Sequence, residues 1–117
     1  MSSAAKKLSP LVVVDGVRTP FVKAGTHFAG IEADELGRLV VRELLIRTGF
    51  DAARTDEVIF GCVGQSAKSA NVARVIALRA GVPDRVPAFT VHRNCASGSE
   101  AIVEAMIRMN VGLGDAY

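Results

Sequence analysis

Two stretches of the chain carry apolar residues at helical spacing. Over residues 33–48, leucines and valines recur every three or four positions, and charged side chains take the other side. Asp34 and Glu35 lie at the N-terminal end of this stretch, where acidic groups favour the helix dipole, and Gly49 follows it as a C′ residue. Residues 97–110 have the same spacing but are apolar most of the way round. The pattern predicts two helices, of which the second needs cover on several sides.

Three shorter runs of β-branched and other apolar residues are typical of strands, over residues 11–14, 58–63 and 88–91. Continuous apolar runs favour strands that are buried on both faces, as in a parallel sheet. Between the last two runs, Asn71 can cap a short helix that ends at Gly81. The order strand, helix, strand, helix, strand, helix predicts an α/β domain with a mostly parallel sheet.

The remaining segments set the expected domain boundaries. Residues 1–10 are polar and predict a flexible N-terminal tail, and residues 21–31 are rich in glycine and predict a surface loop. With 50% hydrophobic and 22% charged residues, the composition is that of a soluble globular protein. Three strands would not cover the apolar last helix, so residues 11–117 are predicted to form an incomplete domain.

Charge and cysteine content exclude several function classes. The net charge of +2 comes from 14 basic and 12 acidic residues spread along the chain, which does not favour binding to nucleic acid or to anionic lipid. The first apolar run is interrupted by Asp15 and is too short for a secretory signal or a transmembrane segment, so we expect a cytoplasmic protein. Cys62 and Cys95 match neither a disulfide framework nor a zinc site, and they favour a reducing compartment.

Cys95 is the candidate catalytic residue. It lies between the predicted strand end at Val91 and the predicted helix start near Ser97, and the free N–H groups and positive dipole of a helix start favour the nucleophilic thiolate. Ala96, Ser97 and Gly98 are small, which would allow a substrate to approach. On these residues alone, a reactive thiol and a buried structural cysteine both remain open.

A cysteine nucleophile that attacks a carbonyl needs a base and donors for the oxyanion. His92 lies three residues before Cys95, and on an extended strand its imidazole need not reach the sulfur, so a structural role is favoured. His27 lies in the glycine-rich loop and is expected to be solvated, and Cys62 fits the core inside a β run. No complete Cys–His pair is visible, and the missing partner would have to lie elsewhere. No phosphate-binding glycine motif follows a strand, so nucleotide binding has no support.

Four segments resemble those of thiolases, in the order and spacing of that family. The resemblance covers nearly all of residues 11–114. Residues 21–30 and 69–74 look closer to the fatty-acid oxidation thiolases of trifunctional complexes than to short-chain acetoacetyl thiolases. The four segments are VDGVRTPF (14–21), DEVIFG (56–61), NVAR (71–74) and VHRNCASG (91–98).

The resemblance implies a thiolase fold, with two similar halves in αβαβα layers, of which this chain would supply most of the N-terminal half. It implies that Cys95 attacks the keto carbon of a 3-ketoacyl-CoA, that acetyl-CoA is released, and that the acyl group passes from Cys95 to CoA. The reverse direction would be a Claisen condensation. Thiolases use CoA as a substrate and need no metal or prosthetic group. Their dimers pair through the strand that corresponds to residues 88–91 and often form tetramers, in some cases with a hydratase/dehydrogenase subunit.

The chain departs from the family in lacking its later motifs. A Gly-His-Pro histidine, an Asn-Glu segment and a second Cys-x-Gly cysteine have no counterpart in the 117 residues. We therefore expect the isolated chain to have no thiolase turnover. One alternative is a non-catalytic thiolase-like fragment that serves dimerisation or assembly. The ketoacyl synthase branch also condenses thioesters on a cysteine, but the four segments fit thiolases better.

Overall fold

The computed structural model describes residues 8–117, so most of the predicted N-terminal tail lies outside the described residues. Both long helices, the short helix and the last two strands are confirmed, with bounds close to those that the sequence predicts. A single 3-10 turn, Ala52–Arg54, precedes the first strand. In chain order the elements are α1 (Ala33–Thr48), β1 (Val58–Gly61), α2 (Val72–Ala80), β2 (Ala88–Val91) and α3 (Ser97–Val111).

The strands β1 and β2 pair in parallel, with Val58 opposite Ala88 and Gly61 opposite Val91. The parallel sheet that the sequence predicts is thus present, with two strands in the described residues. Helix α2 connects the two strands, packs on both, and lies against α1 on another side. The buried apolar side chains belong to α2 and to the loop after it: Val72, Ala73, Ile76, Ala77, Val82 and Val86.

The predicted strand over residues 11–14 is wrong for the described structure. This segment has no regular secondary structure, and Val12, Val13 and Val14 are 72%, 73% and 86% exposed. A strand needs a neighbour whose backbone accepts and donates hydrogen bonds, and among residues 8–117 none pairs with this segment. The apolar pattern therefore indicates β propensity in a segment that pairs with no strand among residues 8–117.

Asn71 joins helix α2 to strand β2. Its side-chain carbonyl accepts hydrogen bonds from the Arg74 N–H at 3.3 Å and from the Thr90 hydroxyl at 2.9 Å, and its amide donates to the Ala88 carbonyl at 2.9 Å. The first of these bonds is the helix cap that the sequence predicts. The Arg74 guanidinium extends the connection by donating to the backbone carbonyl of Val86 at 2.7 Å. The segment NVAR thus fixes the buried helix against the strand that leads to Cys95.

The last residues of the chain lie against the start of β1. The Asp56 carboxylate accepts hydrogen bonds from the N–H groups of Asp115 at 2.7 Å and Ala116 at 3.0 Å, and these bonds lower the pKa of Asp56. The Asp56 N–H in turn donates to the Ala116 carbonyl at 2.8 Å. Nearby, the shielded Tyr117 hydroxyl finds no hydrogen-bond partner among residues 8–117. Burial, followed by the negative charges of Asp56 and Glu57, raises the pKa of Tyr117.

Helix α3 lacks the cover that its apolar surface predicts. Its inner side packs on β1 and β2, but Ile102, Ile107 and Val111 are 56%, 49% and 63% exposed. None of the helices in residues 8–117 has both the length and the apolar character needed to cross a bilayer. The outer side of α3 is therefore an unpaired apolar surface in the described structure.

The Asp56 contacts should make stability depend on pH. Because the folded state lowers the pKa of Asp56, its stabilising effect is present above the unfolded pKa of about 3.9 and is lost as the pH falls through the folded value. We expect Asp56→Asn to reduce the loss of thermal stability between pH 5 and pH 2, measured by circular dichroism melts. Asp84→Asn is the control, since the exposed Asp84 side chain makes no ion pair among residues 8–117. Identical acid profiles for wild type and Asp56→Asn would contradict this assignment.

Candidate functional site

Cys95 lies in the short connection between β2 and α3, as the sequence predicts. Strand β2 ends at Val91, helix α3 begins at Ser97, and the Cys95 side chain is exposed. The alternative of a buried structural cysteine is therefore wrong. The thiol precedes the first helical residue by two positions, on the side where helical N–H groups have no intrahelical acceptor. The connection presents a thiol to solvent at the positive end of a helix.

The connection reverses direction over residues 93–97. The N–H of Ala96 donates to the Arg93 carbonyl at 3.0 Å, and the N–H of Ser97 donates to the Asn94 carbonyl at 3.1 Å. Asn94 takes a positive φ of 47°, the one non-glycine residue to do so among residues 8–117. Asparagine tolerates this left-handed conformation better than most residues do. The conformation of Asn94 thus sets the direction in which the chain enters Cys95.

The buried Ser97 hydroxyl forms two hydrogen bonds within this turn. Ser97 is 4% exposed, and its hydroxyl oxygen accepts a hydrogen bond from the Arg93 N–H at 2.8 Å. The same hydroxyl donates to the Asn94 carbonyl at 2.7 Å. Both bonds join the first helical residue to the backbone that precedes Cys95.

Gly61, the last residue of β1, contacts the backbone at the start of α3. A Cβ built on Gly61 would overlap the Ser97 carbonyl and would lie 2.6 Å from the Gly98 nitrogen. The start of α3 therefore rests directly on the backbone at the end of β1. A glycine at this position permits the close approach of the two backbones.

An ion pair also connects the turn to the first part of α3. The Arg93 guanidinium contacts the Glu100 carboxylate at 2.5 Å, and this hydrogen bond raises the pKa of Arg93. Arg93 is largely exposed, with 67% of its side chain accessible, so the pair contributes little stability of its own. The positive charge of Arg93 is directed along the helix to Glu100.

The other candidate residues do not form a reactive group with Cys95. His92 is exposed, and its Nδ1 atom faces the Asn94 N–H at 3.4 Å, which agrees with the predicted structural role. His27 is exposed in the loop over residues 21–31. Cys62 is half-buried directly after β1, and its N–H donates to the Val91 carbonyl at 3.1 Å. Among residues 8–117, no histidine forms a hydrogen bond with the Cys95 thiol.

The clefts of the described residues lie elsewhere. A cavity of about 430 Å³ between α1, α2 and the loop before α2 is lined by Asp34, Glu35, Lys68 and Arg79. Arg79 forms ion pairs with Asp34 and Glu35 inside it. Cys95 does not line this cavity. Within residues 8–117, no cluster of His, Cys, Asp or Glu is arranged to hold a metal ion.

Sequence reasoning missed two contributors to the site. The sequence indicates only that Ser97 is small and lies at the helix start, because it does not show which nearby backbone groups the hydroxyl contacts. Gly61 was interpreted as part of a strand, although a glycine inside a strand pattern can signal close approach by another backbone. That signal could have identified Gly61, whereas no sequence signal points to the hydroxyl contacts of Ser97.

Comparison with known proteins gives a consistent result for the whole described chain. Residues 11–117 match the family model "Thiolase, N-terminal domain". The chain is 40% identical over 116 residues to a probable 3-ketoacyl-CoA thiolase of Caenorhabditis elegans, covering 98% of this chain and 26% of that protein. It is also 40% identical over 105 residues to a 3-ketoacyl-CoA thiolase of Aeromonas salmonicida, covering 90% and 24%.

A solved structure is similar as well. The crystal structure of the Bacillus anthracis acetyl-CoA acetyltransferase matches with a TM-score of 0.72 and 36% identity, covering 76% of this chain and 23% of that one. The chain thus spans about a quarter of the length of the relatives that it matches.

The Gly61 contact predicts a specific effect of added volume. We expect Gly61→Ala to destabilise the protein by about 1–3 kcal/mol, because the new methyl group displaces backbone at the start of α3. Urea unfolding measures the change. Gly64→Ala is the matched control, because a Cβ at Gly64 meets nothing within 4 Å. Equal stabilities for the two variants would show that β1 and α3 do not approach as closely as described.

The exposure of Cys95 predicts selective alkylation. At pH 7 we expect iodoacetamide to react faster with Cys95 than with the half-buried Cys62, as followed by peptide mass spectrometry. In 8 M urea the two rates should become similar, because both the burial of Cys62 and the helix start are lost. Equal rates in the native protein, or an unchanged ratio in urea, would contradict a special environment for Cys95.

Proposed function

The chain belongs to the thiolase family and has a thiolase-like α/β fold, and on that premise we propose that the protein is a thiolase-type acyltransferase. Its reaction would cleave a 3-ketoacyl-CoA with CoA to give acetyl-CoA and a shortened acyl-CoA. The relatives named 3-ketoacyl-CoA thiolase support this substrate class. CoA takes part as a substrate, and the proposal includes no metal or prosthetic group.

The proposed chemistry has two transfers at Cys95. In the first, the thiolate attacks the keto carbon, the bond between that carbon and the α-carbon breaks, and the departing enolate of acetyl-CoA takes up a proton. The acyl group is then held on Cys95 as a thioester. In the second, the thiolate of free CoA attacks the thioester carbonyl and releases the Cys95 thiolate. Neither transfer is an oxidation or a reduction. The reverse sequence would be a Claisen condensation.

The placement of the Cys95 thiol carries the proposal. The side chain is exposed, lies two positions before the first residue of α3, and follows a strand whose end is fixed by pairing with β1. Cysteine nucleophiles often lie at helix starts, where free N–H groups can stabilise an anionic sulfur. A thiol in this setting is suited to attack a carbonyl that approaches from solvent.

Within residues 8–117, neither histidine is placed to act as a base for Cys95. The chain contains two histidines, of which His27 lies in a distant loop and His92 turns its Nδ1 atom towards the backbone of Asn94. We therefore propose that the protons are handled by groups beyond these 117 residues. A polypeptide limited to residues 1–117 should then have no thiolase turnover.

The setting of the reaction is part of the proposal. We place the protein in fatty-acid β-oxidation, in the cytoplasm, as a homodimer or tetramer, in some organisms together with a hydratase/dehydrogenase subunit. Two features support the reducing compartment and the strand pairing between subunits. Both cysteines are free thiols, which fits a reducing compartment, and β2 has one edge that pairs with no strand in residues 8–117.

Covalent labelling by substrate tests the function. We expect the protein that contains this sequence to gain the mass of the acyl group on the Cys95 peptide after incubation with a 3-ketoacyl-CoA, and to release acetyl-CoA. Cys95→Ala should lose both signals, a fall of at least about 10³-fold in rate, since the reaction has no other nucleophile. Cys62→Ala is the matched control and should retain both.

Three results would change the proposed function. Acetyl-CoA release that survives Cys95→Ala would overturn the role of Cys95. An intact protein with no acylation and no release would favour the alternative of a non-catalytic, assembly-related thiolase-like protein. Turnover by a polypeptide of residues 1–117 alone would overturn the need for further catalytic groups.

A further inference from the structure

We propose that Ser97 is a positioning residue for Cys95, whose hydroxyl holds the turn that aims the thiol at the start of α3. This inference rests on the proposed role of Cys95 as a nucleophile. The hydroxyl is buried, and it joins the Arg93 N–H and the Asn94 carbonyl on the other side of Cys95.

The direction of these bonds distinguishes Ser97 from an ordinary helix cap. A capping serine precedes the helix and accepts a hydrogen bond from an N–H two or three residues later. Ser97 is already the first residue of α3, and its hydroxyl bonds backwards to residues 93 and 94. The residue at the cap position, Ala96, makes no side-chain hydrogen bond. The Ser97 hydroxyl thus serves the turn before the helix rather than the helix itself.

The turn needs such support because of Asn94. Its positive φ of 47° lies in a sparsely populated region, and a non-glycine residue stays there only when the surroundings fix it. The Asn94 carbonyl accepts from both the hydroxyl and the backbone N–H of Ser97. The hydroxyl also occupies the Arg93 N–H, one residue earlier. These bonds hold the backbone on both sides of Asn94, immediately before Cys95.

Loss of the hydroxyl should change the orientation of the thiol more than its accessibility. Cys95 is already exposed, so a looser turn adds little access for a small reagent. The proposal places the sulfur beside the N–H groups at the start of α3, and a looser turn would let it move away from them. The reactivity of Cys95 should therefore fall while the reactivity of Cys62 stays unchanged.

Alkylation of the intact protein tests this proposal without any thiolase substrate. The rates of iodoacetamide reaction at Cys95 and Cys62 are measured at pH 7 and pH 9 in wild type, Ser97→Ala, Ser97→Thr and Ser99→Ala. We expect Ser97→Ala to slow Cys95 by about three- to tenfold at pH 7 and by less at pH 9, where more of any thiol is ionised. Ser97→Thr keeps the hydroxyl and should stay within about twofold of wild type. Ser99→Ala alters an exposed serine two positions later and should have no effect.

Several results would overturn the proposal. An unchanged Cys95 rate in Ser97→Ala would do so, and so would an equal change at Cys62, which would indicate general loosening of the fold. A folded Ser97→Thr variant that reacts as slowly as Ser97→Ala would also overturn it. The result is separable from the proposed function, because alkylation could depend on Ser97 even if Cys95 is never acylated by a 3-ketoacyl-CoA.

Discussion

The side chain of Asn71 joins the buried helix of this fold to the strand that leads to Cys95. It caps α2 through the Arg74 N–H and holds β2 through the Ala88 carbonyl and the Thr90 hydroxyl. Because α2 supplies most of the buried apolar side chains, its position decides where the neighbouring elements pack. The turn over residues 93–97, here called the Cys95 turn, follows the end of β2. Its position therefore depends on the hydrogen bonds of Asn71, more than twenty positions earlier in the chain.

The elements that the sequence predicted correctly are those whose information is local. Helix α1 shows apolar spacing, acidic residues at its start and Gly49 at its end, where the φ of 63° suits glycine. The run over residues 11–14 has equally clear β propensity, yet it forms no strand among the described residues. A helix satisfies its backbone within one segment, whereas a strand depends on another segment for every hydrogen bond. Propensity was therefore sufficient for α1 and insufficient for residues 11–14.

The candidate site also combines features that the local sequence predicts with features that it does not. The order of strand, short connection and helix placed Cys95 correctly, because that order can be read from consecutive residues. The contact between Gly61 and the Ser97 backbone joins residues that are distant in sequence and meet only when α3 lies on β1. The partners of the Ser97 hydroxyl are nearby residues, but the sequence does not show which of them it bonds. The family resemblance identified the segments that carry these residues without explaining them. In the structure, Gly61 permits a close contact between the backbones of β1 and α3, and the buried Ser97 hydroxyl bonds to residues 93 and 94.

The parallel pairing of β1 and β2 has a consequence for how the protein matures. Parallel strands cannot be joined by a tight hairpin, so α2 and its flanking loops must be in place before β2 can dock, and such non-local pairing forms slowly. The Cys95 turn, which follows β2 and rests on β1, is assembled only after that step. A nascent or misfolded chain therefore carries an ordinary cysteine in place of a positioned one.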